Sequence, residues 1–219
     1  MSVNPPAIPG YEDNMTDTPR ALLRALGKIV TAKGDLFVLQ CGAEDVRALR
    51  QALSDGFAGV ALAGCRDAAD VQRLAVLLSV AEAEEGRPDG ATPILAVTDG
   101  ILSAPTAFRD ASSRLMGLAW DAGFLAQALG APGRRTADGD WAGAFAAARA
   151  GVLLAAAVAG VPAYDSPSPL TGEAFLTECR RSRDDGFSGR LADDAGQVEA
   201  IESLYGQGRS ISKTSDASV

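Results

Sequence analysis

Short runs of contiguous apolar residues alternate along this chain with longer stretches whose apolar positions recur every three or four residues. The runs Leu36–Leu39, Gly59–Ala63, Pro93–Val97, Met116–Trp120 and Pro162–Tyr164 predict strands, and Gly189–Ala192 predicts a short sixth. Between them, Ala43–Ser54 places Val46, Leu49 and Leu53 on one helical face, and Ala68–Ala83 does the same with Val71, Leu74, Leu77 and Leu78. Helices are likewise predicted over 105–114, Ala142–Ala159, Glu173–Asp184 and Gln197–Tyr205. A further helix is expected to open at Thr18-Pro19, a cap followed by proline at the first helical position, and to run through Leu22, Leu23, Leu26 and Ile29.

Unbroken apolar strands separated by helices predict a parallel sheet buried on both faces. Periodicity leaves open whether that sheet is doubly wound or closed into a barrel. No GxGxxG or P-loop pattern follows any strand, so nothing supports a nucleotide fold. In a barrel, chemistry sits where strands end and loops begin. The polar residues at those points are Gln40, Arg66, Asp99, Asp121, Asp165 and the pair Asp193-Asp194.

The length of 219 residues suits one domain. Residues 1–17 read as a flexible leader, 18–205 as the α/β domain, and 206–219, rich in Ser and Gly, as a disordered tail. No basic segment followed by an apolar run marks a signal peptide, and the longest apolar run, Ala150–Ala163, is too short to span a bilayer. Three well-separated cysteines and no CxxC pair argue against a zinc site or disulfide framework, so a reduced, cytoplasmic chain is expected. The net charge of -8 argues against nucleic acid as a partner. The absence of histidine removes Ser-His-Asp triads, imidazole bases and imidazole metal ligands.

Two segments carry a resemblance to a known family. Asp55-Gly56-Phe57-Ala58-Gly59-Val60-Ala61-Leu62-Ala63-Gly64, followed by Ile94-Leu95-Ala96-Val97-Thr98-Asp99-Gly100, resembles the "ADGVVLPK…ILALIET" stretch of citrate lyase β-subunit-like (HpcH/HpaI aldolase) proteins. Ala148–Asp165, then Gly186-Phe187-Ser188-Gly189-Arg190-Leu191-Ala192 through Gln197, is similar to that family's "ARSRVVLAARAAGVPAID…GFDGKLAIHPAQ". Between them, Trp120–Gly130 resembles "FGAEDLAADLG". The resemblance implies a TIM-barrel-like fold and Mg²⁺-dependent chemistry on a carbon–carbon bond beside a thioester, in which a Glu and an Asp hold the metal and an Arg holds the acid. A hard cation takes oxygen ligands and stabilises developing enolate charge.

Carried over position by position, the resemblance also marks losses. The metal Glu falls at Asp99, and the metal Asp falls at Phe124, with Asp121 three residues earlier. The family's Arg falls at Leu39, beside Gln40 and Cys41; its Lys falls at Gly64; the "HPAQ" segment keeps only Gln197; Asp165 is kept. Neither of the family's first two strands is found before Asp35, nor its C-terminal lid, so the expectation is an incomplete barrel of six strands. Such a barrel would need capping by the leader helix or by a partner, whether a second copy or a family member.

The candidate site is therefore Asp99 and Asp121 for Mg²⁺, Asp165 as base, and Gln40, Arg66 and Gln197 for a small CoA thioester or organic acid. Each residue also has a plainer reading. Asp99 precedes Gly100 as a turn pair, Asp121 can cap a helix at Ala122, Asp165 can form an Asx turn before Ser166-Pro167, Asp193-Asp194 can be a solvated loop, and Arg66, like Arg134, Arg135 and Arg149, can be a surface charge. Two functions remain: a member that has lost lyase chemistry and serves as a binding or regulatory subunit, or a divergent Mg²⁺-dependent lyase or thioesterase.

Overall fold

A computed structural model describes residues 18–206. The leader and the tail after Gly206 lie outside the described residues. The predicted apolar runs form β3 (Leu36–Gln40), β4 (Gly59–Ala63), β5 (Ile94–Thr98), β6 (Leu115–Trp120), β7 (Ala163–Asp165) and β8 (Gly189–Ala192), each parallel to the next.

The barrel is nevertheless closed, with eight strands rather than the six expected. The segment read as a first helix is a hairpin, β1 (Ala21–Ala25) and β2 (Lys28–Val30). Strand β1 pairs in parallel with β8, and β2 runs antiparallel to both β1 and β3. Leu22, Leu23, Leu26 and Ile29 fit a helical period, but Leu22 and Ile29 face the barrel interior as strand residues and Leu26 is exposed at the turn. Gly27, at φ 72°, adopts the left-handed conformation that the tight turn requires. With both barrel edges paired, no partner chain is needed to cap them.

Two side-chain layers result. Inside the barrel, Leu22, Ile29, Leu36, Ala61, Leu95, Val97, Ala119, Tyr164 and Leu191 form one cluster, with Val38, Met116 and Phe124 packed against it. Tyr164 is the largest of these, and Gly117 makes room for it, since a Cβ there would lie 2.7 Å from its ring. Outside, Val60, Leu62, Ile94, Leu118 and Trp120 meet the helices.

Those helices are α1 (Val46–Ser54), α2 (Ala68–Glu84), α3 (Ala122–Leu129), α4 (Gly143–Ala159), α5 (Gly172–Asp185) and α6 (Val198–Gly206). The side chains of Asp45, Asp67 and Asp121 cap the first, second and third through backbone amides. The helix expected over 105–114 does not form. That stretch is a series of turns between β5 and β6, broken by Pro105 and by Asp110 at φ 55°. No described helix is long and apolar enough to cross a membrane.

At the N-terminal end of the barrel, Arg114 clamps Glu82 at 2.8 Å and Asp89 at 2.6 Å, and Glu82 also accepts from the amides of Thr92 and Gly90. Burial pushes the Glu82 carboxyl up, but the Arg114 and amide hydrogen bonds outweigh it and hold the group at about 2. This cluster ties the end of α2 to the entries of β5 and β6.

Candidate functional site

The C-terminal mouth collects the residues that follow the strands. Gln40 ends β3 and is exposed. Beside it, the Cys41 thiol is pushed up to about 11, first by burial and then by Asp70, which leaves it protonated and weakly nucleophilic at neutral pH.

Asp99 follows β5 and is buried. Its Oδ1 accepts from the Ile101 amide at 2.8 Å, an Asx turn made possible by Gly100 at φ 84°. Its Oδ2 faces the Arg66 guanidinium at 3.5 Å. Arg66 is 64% exposed, so this is a loose pair open to solvent. The turn reading and the pairing of two candidate residues therefore coexist at Asp99.

Asp121 follows β6 and is also buried. Its Oδ1 caps α3 by accepting from the Gly123 amide at 2.6 Å, and its Oδ2 accepts from Arg24 Nη1. Arg24, on β1, forks onto Asp193 after β8 through Nε at 2.5 Å and Nη2 at 2.6 Å. One guanidinium thus bridges carboxylates from the ends of β6 and β8. Arg24 escaped the sequence reading because it lay within the expected helix, although its position two residues from inward-facing Leu22 marks it as inward-facing once β1 is a strand.

Asp165 does not reach the mouth. On β7 its neighbour Tyr164 faces the interior, so Asp165 faces the helix layer, where it is 1% exposed. There it accepts from Trp120 Nε1 at 2.7 Å, Ser182 Oγ at 2.6 Å, the Ser166 amide at 2.9 Å, and Arg149 through Nε at 3.1 Å and Nη2 at 2.9 Å. Arg190, its partner in register on β8, stands at 3.8 Å and is bound at 2.9 Å to Glu178. Burial pushes the Asp165 carboxyl up, but Arg149, Arg190 and Ser182 outweigh it and hold it below the ordinary carboxylate range. A carboxylate so enclosed and so stabilised in its charged form is a poor base for a ligand at the mouth. Arg149, read as an anion contact or surface charge, is its main counter-ion.

Gln197 is also inside the protein. Its Nε2 donates to the carbonyls of Ser168 at 3.1 Å and Leu170 at 3.0 Å, which holds the loop after β7 in place. That loop walls a cleft of about 770 Å³ beside the mouth, lined by Arg134, Trp141, Pro167, Pro169, Asp193 and Gln197. Arg135 stacks on the Trp141 ring at 3.8 Å and pairs with Glu178 at 2.7 Å.

These residues do not suit Mg²⁺. The ion asks for near-octahedral oxygen ligands. Asp99 and Asp121 each have one oxygen committed to a backbone amide and the other facing an arginine. Phe124 packs its ring on the barrel interior. Among the described residues no group of three Asp, Glu, Cys or His side chains could hold a metal.

No family model and no curated protein matches the chain. Solved structures do. The protein CitE from Mycobacterium tuberculosis, in complex with magnesium and acetoacetate, is 22% identical over 77% of this chain and 66% of its own, with a TM-score of 0.60. CitE in complex with magnesium, acetoacetate and coenzyme A is 23% identical over 77% of this chain and 59% of its own, with a TM-score of 0.59. RipC from Yersinia pestis is 26% identical over 77% of this chain and 75% of its own, with a TM-score of 0.60. The chain therefore spans at most about two thirds of these two mycobacterial chains. By fold, it resembles the HpcH/HpaI-type aldolase family, as a citrate lyase β-subunit-like α/β barrel.

Proposed function

We propose that this chain is a divergent citrate lyase β-like protein that has lost Mg²⁺-dependent carbon–carbon lyase chemistry and serves as a binding or regulatory subunit. The observation that carries this is Phe124. The resemblance puts the family's metal Asp there, and the ring packs against the barrel interior instead. Replacing a charged ligand by an apolar ring removes electrostatic stabilisation of an enolate that commonly contributes several kcal/mol. Leu39 and Gly64, at the positions of the family's Arg and Lys, remove two more charges. The ligand would be a small organic acid or its CoA thioester, held at the mouth by the solvent-facing Arg66 and by Gln40 at the exposed end of β3. Partnership with an active family member fits a subunit that no longer turns over its own ligand.

The test is calorimetric titration of acetoacetate, oxaloacetate and acetyl-CoA with and without Mg²⁺, beside a cleavage assay on citryl-CoA and malyl-CoA. Binding that does not require the metal, with no cleavage, is expected. Cleavage that depends on Mg²⁺ and disappears in Asp99→Asn would establish an active lyase with a rebuilt site.

A further inference from the structure

We propose that the cleft beside the barrel mouth is a second ligand site, and that it takes a free α-amino acid with a large apolar side chain. The inference does not rest on the ligand proposed for Arg66 and Gln40. The cleft measures about 770 Å³, a size typical of small-molecule sites. Most of the charges around it are already paired: Arg24 holds Asp193, and Glu178 holds Arg135. Two are open. Arg134 is exposed, and its guanidinium makes no hydrogen bond or ion pair among the described residues. Asp194 lends Oδ1 to the Gly196 amide at 2.8 Å and has no cationic partner among the described residues, nor do the two pair with each other. The cleft therefore offers one open positive and one open negative group.

An independent observation points the same way. Gln197 lines the cleft and is only 6% exposed. Its Nε2 is fixed by the carbonyls of Ser168 and Leu170, so Oε1 is an acceptor, and it is buried with no donor among the described residues. A buried acceptor without a donor is costly, and a ligand N–H supplies the missing bond. Gln197 and Asp194 belong to one short turn, closed by the Gln197 amide donating to the Asp194 carbonyl at 3.0 Å. An unanswered acceptor and an open carboxylate on one turn suit an ammonium, which carries three donors. Arg134 suits a carboxylate, which a guanidinium can hold through two parallel bonds. Pro167, Pro169 and Trp141 add an apolar wall for a side chain. A simple organic acid would leave the turn unanswered, and a simple amine would leave Arg134.

The experiment is calorimetric titration of L-phenylalanine and L-leucine into the full chain, beside phenylpropionate, which lacks the ammonium, and phenethylamine, which lacks the carboxylate. At least one of the two amino acids is expected to bind saturably at millimolar concentration or below and to raise the melting temperature. Either analogue should bind at least about tenfold more weakly than L-phenylalanine. Arg134→Gln and Asp194→Asn should each lose at least about tenfold in amino-acid affinity. Both variants are expected to fold, since Arg134 is exposed and asparagine keeps the oxygen that caps the Gly196 amide. The wild-type comparison of the four ligands does not depend on either variant. No saturation by either amino acid up to about 10 mM overturns the proposal. So does phenylpropionate binding as tightly as L-phenylalanine, which would mark a site for plain organic acids, or undiminished affinity in Arg134→Gln.

Discussion

Replacing Asp165 with asparagine keeps the shape of the side chain and an oxygen for Trp120, but removes the charge between Arg149 and Arg190. Arg190 is fully buried, and Arg149 stacks over the Phe187 ring with its guanidinium carbon 4.5 Å from the ring centre. Breaking a buried ion pair on one side costs about 3–5 kcal/mol, because the remaining charge stays desolvated. Here each arginine retains a second carboxylate, Glu178 at 2.9 Å for Arg190 and Asp185 at 2.7 Å for Arg149, which places the loss near the lower end, about 3 kcal/mol. Typical domains have only about 5–15 kcal/mol in total, so the effect is large. Urea denaturation followed by tryptophan fluorescence measures it. With a slope of about 1–3 kcal/mol per molar, the midpoint should fall by at least about 1 M. A midpoint unchanged within error would refute the reasoning, since it would mean that neither arginine depends on the Asp165 charge.

The Glu82 cluster makes an acid-stability prediction. A carboxylate lowered in the folded state from 4.5 to about 2 stabilises the protein fully above pH 4.5, and that contribution is lost as pH falls toward 2. Glu82→Gln should therefore cost roughly 3 kcal/mol at pH 7 and flatten the pH dependence of stability between about pH 4.5 and 2, read from urea midpoints across that range. An equally steep acid limb in the variant would show that other groups carry it. Gly117→Ala should destabilise by about 1–3 kcal/mol, since its methyl would meet the enclosed Tyr164 ring, and near-ultraviolet circular dichroism should report the displaced ring. An unchanged spectrum and midpoint would mean that the barrel interior has slack at this layer.

Much of the architecture from β3 onward was legible in local pattern. Contiguous apolar strands and helical periods are properties of a few neighbouring residues, and they placed β3 to β8 and the helices other than α3 within a few residues. Asp99 and Asp121 were readable as turn and cap for the same reason. The stretch 105–114 misled because its polar turns happen to separate apolar residues at helical intervals.

The sequence by itself determined that this is an α/β chain of short buried strands, without histidine chemistry. Only the tertiary structure decided three things. Residues 21–30 pair as strands because β3 and β8, distant in sequence, offer them unpaired edges, and no local period contains that offer. Asp165 faces outward because barrel closure sets which parity of β7 is inside, and a strand buried on both faces carries no alternation to reveal it. Arg24 becomes the counter-ion of Asp121 and Asp193 because the closing hairpin brings together charges separated by 97 and 169 residues, a proximity that the fold creates and the local sequence does not encode.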